Sequence, residues 1–460
     1  MEDNTENATV SVQNVKVFLS TQTQYKIPLQ PYMIPATFRR YHLSQLINQV
    51  LALPNVVPFD FLIEGDMVIG TVGDACNEKG LNAEETIKIE YIPSVLPPEN
   101  ISTIPTKEWV SSVSSQAPGL FLAGFYDNMI RIYNESQEVL HTVGGHSGPI
   151  SDASWVPSSS SPPSLFLSSS YDTTARIISY DAIENDTPKS LASMHLHTQP
   201  ISSARADSNG EFALTASWDQ LIGLWTLKIP EAHEVHAPEQ VIQTTSRKRR
   251  KLGKGNGFDS SDADSNVMRK APEMVLKSHT GRVSKALFDP LGRKEAWSAG
   301  WDCTVRKWDV ETGICLQTVT SSERVMMDLG ISADAQKILA ASADRNILMY
   351  STSDFGSKDT RPIAMPQTSS PIALTTHTSS PHHLIVAAQD GLIRLWDVRS
   401  TKSPVASFSG FPQKGEGESP NEKPPAKPSK KVICLDWGGK SGDLVLSGGE
   451  EGVCVSRASI

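Results

Sequence analysis

Cysteine is scarce in this chain: five residues in 460, at positions 76, 303, 315, 434 and 454, with no C-x-x-C spacing. An odd, unpaired set argues against a disulfide framework and a cysteine zinc site, and fits reduced thiols. Long apolar runs are also lacking, none approaching the ~18 residues of a membrane span, so no membrane partner is expected. The opening MEDNTENATV is acidic and polar, unlike a secretory signal, and the expectation is a soluble intracellular chain. Positive charge is not in excess: 42 Lys and Arg against 51 Asp and Glu leave −9, which marks no general polyanion binder. GKGNG (253–257) has no strand before it and no helix after it, so it is linker and not a phosphate loop. Without a nucleophile elbow or metal-ligand cluster, neither enzymatic activity, nor a small-molecule substrate, nor a metal or cofactor of its own is expected.

What the chain does have is repetition. WSAGWDCTVRKWDV (297–310) places Trp308 six residues after Asp302, where a strand would end in small residues and turn. The same arrangement recurs as FLAGFYDNMIRIY with Asp127 and Tyr133, and as FLSSSYDTTARII with Asp172 and Ile178. It returns in ALTASWDQLIGLW with Asp219 and Trp225, ILAASADRNILMY with Asp344 and Tyr350, and LIVAAQDGLIRLW with Asp390 and Trp396. A weaker seventh copy, LVLSGGEEGVCVS, puts Glu450 in the Asp place and Ser456 in the aromatic place. Spacings from each acidic residue to the next are 45, 47, 83, 42, 46 and 60. Four of these match or slightly exceed the ~40–45 residue period of WD repeats.

The two long spacings contain polar stretches, QTTSRKRRKLGKGNGFDSSDADSNVMRK (243–270) and PQKGEGESPNEKPPAKPSKK (412–431), too poor in large apolar residues to build a core. Disordered insertions are therefore expected near 229–272 and 411–431. Each repeat reads as a four-stranded blade, and seven blades close a ring. Two copies carry a full polar set: His197, Thr215, Asp219 and Trp225, then His279, Ser298, Asp302 and Trp308. A hydrogen-bonded brace is the natural reading, since buried Asp and His must be satisfied. A hydrolytic triad of the same residue types would lack an oxyanion hole. The chain ends just past the inner strands of the seventh copy, so residues from about 99–113 are expected to supply its outer strand.

The first hundred residues differ. Residues 1–10 read as a flexible tail, 11–95 as a small α+β domain, 96–108 as a proline-rich linker, and 109–460 as the propeller. VKVFL (15–19) and an extended run around Tyr25–Leu29 suggest a hairpin. LSQLINQVLAL (43–53) sets Leu43, Leu46, Ile47, Val50 and Leu51 on one helical face. FDFLI (59–63), MVIGTV (67–72) and TIKIEYI (86–92) follow as strands. That order is the ubiquitin-like β-grasp. The expected fold is thus an all-β seven-bladed WD40 propeller behind a ubiquitin-like domain.

RRYHLSQLINQVL, VPFDFLIEGD and GLNAEETIKIEY, followed by EWVSSV and seven blades, resemble the WD-repeat ribosome-biogenesis proteins of the nucleolar PeBoW complex. The related Notchless architecture has eight blades. The resemblance implies a scaffold for precursors of the large ribosomal subunit (pre-60S), with Pescadillo and a Bop-type WD-repeat protein as partners, in the nucleolus and nucleoplasm. It also implies that the ubiquitin-like domain offers a carboxylate to the metal-ion-dependent adhesion site (MIDAS) of the AAA ATPase midasin, whose Mg²⁺ belongs to the partner. The matching position in GLNAE is Glu84, with Glu85 the adjacent alternative.

SRKRRKLGK (246–254) holds Arg247, Lys248, Arg249, Arg250 and Lys251, a run that fits nuclear import, with Ser260 and Ser261 beside acidic residues as candidate phosphorylation sites. WDVR (396–399) leaves a competing function open: a W-D-x-R ending, with Asp397 and Arg399, is used by substrate receptors of cullin-4 ubiquitin ligases.

Overall fold

The computed structural model describes residues 14–21, 23–53, 55–81, 86–158, 164–181, 187–235, 267–320, 323–357, 361–411, 430–439 and 442–458. The expectations for the tail 1–10, for Glu84 and Glu85, for Arg247–Lys251, and for Ser260 and Ser261 lie outside the described residues. Two compact units part between Leu96 and Pro97.

The first unit is a five-stranded sheet with two helices. Its elements are β1 (Asn14–Ser20), β2 (Pro31–Pro35), α1 (Arg40–Leu51), β3 (Phe59–Ile63), β4 (Asp66–Met67), α2 (Val72–Lys79) and β5 (Ile87–Pro93), in the sheet order β2-β1-β5-β3-β4. β1 and β5 run parallel, and the other pairs are antiparallel. Alternation in β1 buries Val15, Val17 and Leu19 against Leu43 and Ile47 of α1. Val50, expected on that face, is 41% exposed.

Two strand expectations are corrected. The second strand lies at Pro31–Pro35, because Tyr25–Ile27 is held as a loop by the Tyr91 hydroxyl, which donates to the Tyr25 carbonyl and accepts from the Ile27 amide. MVIGTV contributes only Met67 to a strand. Val72 instead opens α2, where the Thr71 hydroxyl accepts from the Asp74 amide and the Asp74 carboxylate accepts from the Thr71 amide. A Thr-x-x-Asp capping box thus overrides the apolar run.

The second unit is a ring of seven antiparallel four-stranded sheets. The second blade gains a fifth strand, Met268–Lys270, parallel to its outer strand and inside the span read as insertion. Every innermost strand carries a bulge after its first residue, as at Ile150/Asp152, Val283/Lys285 and Met326/Asp328. Side chains from these strands link neighbouring blades. Arg205 holds Asp152 through Nε and Nη2, both at 3.0 Å, and Lys285 meets Asp328 at 2.7 Å. Asp436 of the seventh blade accepts from the Ser115 amide of the first at 2.6 Å and from its hydroxyl at 2.8 Å. Burial pushes the Asp436 carboxyl up, and the Ser115 amide and the Arg205 charge oppose that.

The ring closes as expected. β6 (Glu99–Pro105), within the span read as linker, pairs antiparallel with the last strand, Gly452–Arg457. Gly452 makes the approach possible: its φ is +139°, and a Cβ there would stand 2.0 Å from the Ile104 carbonyl oxygen. The seventh turn departs from expectation. The Glu450 amide bonds the Lys431 carbonyl, as the Trp218 amide bonds Pro200 in the third blade. Glu450 therefore occupies the place before the Asp, and the turn is one residue shorter, although Ser456 does face Val445 as Trp225 faces Ala213.

Gly452→Ala should strain the turn and push β6 off its partner. At about 1 kcal/mol per lost hydrogen bond the cost should be roughly 3 kcal/mol. Hydrogen exchange should speed up in 99–105 and 452–457 first, whereas a uniform change or none would exclude this closure mechanism.

Candidate partner interface and blade braces

The recurring Asp is explained by its turn. In six blades its Oδ1 accepts the backbone N–H two residues on, at 3.0 to 3.3 Å: Met129, Thr174, Leu221, Thr304, Asn346 and Leu392. The residue between is left-handed each time, with φ from 62° to 76° at Asn128, Thr173, Gln220, Cys303, Arg345 and Gly391. An Asx turn is short enough to reverse the chain between adjacent strands, and Asp supplies the acceptor.

The expected polar sets are brought together. In the fourth blade His279 Nδ1 lies 2.8 Å from Asp302 Oδ2, and Nε2 lies 2.7 Å from Ser298 Oγ, onto which Trp308 Nε1 donates at 2.8 Å. The Thr280 amide and Thr304 hydroxyl also donate to Asp302. In the third blade His197 joins Asp219 at 3.0 Å and Thr215 at 2.9 Å, and Trp225 donates to Thr215 at 2.8 Å. Burial pushes His279 below the usual imidazole range against the pull of Asp302, so the ring is neutral. Its Nδ1–H donates to Asp302 and its Nε2 accepts from the Ser298 hydroxyl, which leaves each donor matched. Burial raises Asp302, but the His279 contact and the Thr304 and Thr280 donors outweigh it and hold the carboxyl well below its usual range. Asp219 and Asp172 are lowered by the same opposition.

These are braces. Ser298 and Thr215 are fully buried and each oxygen is capped by an indole N–H, so no substrate can reach them as nucleophiles. The sequence reading missed a third brace: His146 bonds Asp172 at 2.8 Å and Ser168 at 2.9 Å. Ile178 stands in the Trp place and hid the pattern, although a His 26 residues before the Asp was a usable signal. Arg131, Arg306 and Arg394, four residues after Asp127, Asp302 and Asp390, pair back to them and were also missed.

Among the remaining candidates, the acidic loop is known by its frame. α2 ends at the left-handed Gly80, and the Leu81 amide bonds the Cys76 carbonyl while its side chain packs on the core. On the other side Ile87 is buried at the head of β5. Five residues, 82–86, separate these two anchors in sequence. In WDVR, Arg399 Nη2 lies 2.7 Å and Nε 3.0 Å from the Asp397 carboxylate, so the two are committed to each other. Among the described residues no cluster of His, Cys, Asp and Glu is arranged to hold a metal.

The sequence pattern of the NLE (NUC135) domain matches residues 15–76, and that of the WD domain, G-beta repeat, matches 137–179, 188–226 and 270–309. A ribosome biogenesis protein YTM1 of Laccaria bicolor is 40% identical over 455 residues, covering 96% of this chain and 94% of the relative. One of Coprinopsis cinerea is 40% identical over 458 residues, covering 98% and 96%. One of Saccharomyces cerevisiae is 28% identical over 450 residues, covering 92% and 91%. The chain belongs to the YTM1 family of ribosome biogenesis proteins. Its NLE domain is the ubiquitin-like unit, and its WD repeats are the blades.

The braces carry a pH signature. A neutral buried His279 binds its proton more weakly folded than unfolded, so stability should fall as pH drops below about 6.5, where the unfolded imidazole protonates. The lowered aspartates add stability that is present above about pH 4 and lost below it. Urea midpoints at pH 7.5, 5.5 and 4 should therefore decrease in that order. Asp302→Ala should cost roughly 3 kcal/mol at pH 7.5 by stranding His279, the Thr280 and Thr304 amides and the Thr304 hydroxyl. Midpoints independent of pH, or a silent Asp302→Ala, would refute the brace.

Proposed function

We propose that this chain is a non-enzymatic scaffold for assembly and rRNA processing of the large ribosomal subunit, working in the nucleolus and nucleoplasm. Its propeller binds a Bop-type WD-repeat protein and, through it, Pescadillo. Its ubiquitin-like domain offers the carboxylate of Glu84, or of the adjacent Glu85, to the Mg²⁺ in the MIDAS of midasin, and ATP-driven movement of midasin draws the assembly off the pre-60S particle. Family membership over nearly the whole chain is the observation that carries this reading. The frame is compatible with this reading: Leu81 packs on the core on one side of the acidic stretch and Ile87 is buried on the other. Mg²⁺ is a hard ion that takes an outside oxygen ligand into an open position. The cullin-4 alternative gains nothing from WDVR, because Arg399 is engaged by Asp397.

Glu84→Ala in the full chain should abolish binding to midasin, and Glu84→Asp should weaken it by drawing the carboxylate back one methylene. Glu84→Gln should fail too, since an amide is a far poorer ligand for Mg²⁺. Chelation should mimic the variants, and melting should be unchanged. Full binding by both Glu84→Ala and Glu85→Ala would discard the mechanism. Separately, replacing Arg247, Lys248, Arg249, Arg250 and Lys251 by Ala should lower nuclear accumulation without altering the melting temperature. Unchanged import would free that run from this role.

A further inference from the structure

The innermost strand of each blade runs away from the Asp turn. In the second blade Ile150 faces Ser170 beside that turn, and Trp155 faces Phe166 at the other end. Where these strands finish in the second, third and fourth blades they enclose a cavity of about 220 Å³, partly open to solvent. Trp155 comes from the second blade, Arg205 and Ser208 from the third, and Phe288, Asp289 and Pro290 from the fourth. None of these residues serves a His–Asp brace.

Three polar groups at the cavity have bonding capacity left over. Arg205 commits Nε and Nη2 to Asp152, and among the described residues its Nη1 has no partner. The Trp155 indole N–H, buried at the wall, has none there either. Asp289 accepts the Leu291 amide on Oδ1 at 2.8 Å, while among the same residues Oδ2 meets only Arg293, at 3.8 Å. Buried polar groups are normally satisfied, so three such groups around one cavity point to a ligand.

Their arrangement specifies its chemistry. Blades two and three supply donors and blade four an acceptor, so the ligand has acceptors on one edge and donors on another. Asp152 already balances the Arg205 charge and Asp289 adds a carboxylate, so an anion would be repelled and the ligand is neutral. Size narrows the choice. A cavity of ~150 Å³ holds benzene, so this one has room for roughly nine non-hydrogen atoms. That exceeds a side-chain amide and suits a nucleobase, for which the rings of Trp155, Phe288 and Pro290 are apolar walls. Among the bases, guanine has the acceptors O6 and N7 on one edge and the N1 and N2 donors on another.

We propose that this cavity takes one unpaired guanine of a single-stranded RNA, with O6 and N7 towards Arg205 and the N1 and N2 donors towards Asp289. The cavity has room for the base alone, so ribose and phosphate stay outside, where a strand can continue. The choice of RNA as the source rests on the rRNA-processing role proposed above; the base preference does not.

Calorimetry of the full chain with guanosine monophosphate and its analogues tests the site. Guanosine monophosphate should bind. The inosine and 7-deazaguanosine forms, which lack the N2 amino group and the N7 acceptor, should each bind at least about fivefold more weakly. Asp289→Asn keeps an oxygen for the Leu291 amide, yet the preference for guanosine over inosine should vanish in it. If that variant melts early, the analogue series on the parent decides alone. A short oligouridine strand with one central guanosine should likewise bind more tightly than the same strand with inosine. Mononucleotides that discriminate while the two strands bind alike would keep the base site and overturn RNA as its source. No binding of guanosine monophosphate at millimolar concentration, or equal binding of every analogue and of adenosine monophosphate, overturns the inference. Stronger competition by benzoate would make this a carboxylate site and overturn it as well. In each of these failures the scaffold role is left standing.

Discussion

Everything in the second unit depends on one antiparallel pairing, β6 against Gly452–Arg457. Six blades are built from strands consecutive along the chain, apart from an added or displaced outer strand, but the seventh contributes only three of its own. Without β6 the last strand would be a bare edge with unpaired N–H and C=O groups, which invites pairing with other chains. The glycine at 452 is the local condition for this closure, since any side chain would meet the Ile104 carbonyl. The Asp436 to Ser115 bonds then join the innermost strand of the seventh blade to the end of the first blade's innermost strand. The joined segments lie almost the full length of the propeller apart in sequence, so the loop-closure entropy falls on this step, and it belongs late in folding.

Once closed, the ring is not held equally everywhere. Blades two, three and four have the His–Asp–hydroxyl brace, and in the first and sixth an Arg returns to the turn Asp, joined in the sixth by the Thr368 hydroxyl. In the fifth, Ile338, Leu348, Tyr350 and Phe355 pack with Trp297 of the fourth blade. The WD pattern matches segments of just the three braced blades. The matched segments are those in which the His and Asp of the brace recur.

This explains what could be read from sequence. The Asp recurs because an Asx turn needs its carboxylate, so six blades were legible from one residue and its spacing. His146 escaped because Ile178 removed the aromatic that marked its neighbours. Glu450 was misplaced because counting back from Ser456 assumes a turn of constant length, and this turn is one residue shorter. In the first unit, MVIGTV reads as a strand because its apolar run outweighs a capping box that acts over only four residues, Thr71 to Asp74. The acidic loop is a different case. The role proposed for it rests on resemblance, and the described residues supply only its anchors.

The same turn also explains how a repeat devoted to stability can carry recognition. The Asp turns its carboxylate inward to the amide two residues on, and the backbone bond of the residue before it fixes that residue's position. Its side chain is then held at the rim by structure that owes nothing to the side chain itself. Such a position can change from Trp to Ala or Gln without loss of the turn, as the fourth, fifth and sixth blades show. Recognition can thus be concentrated on some blades while all keep their fold, because the constraint that builds each blade and the surface that it displays sit on adjacent residues and act on different groups.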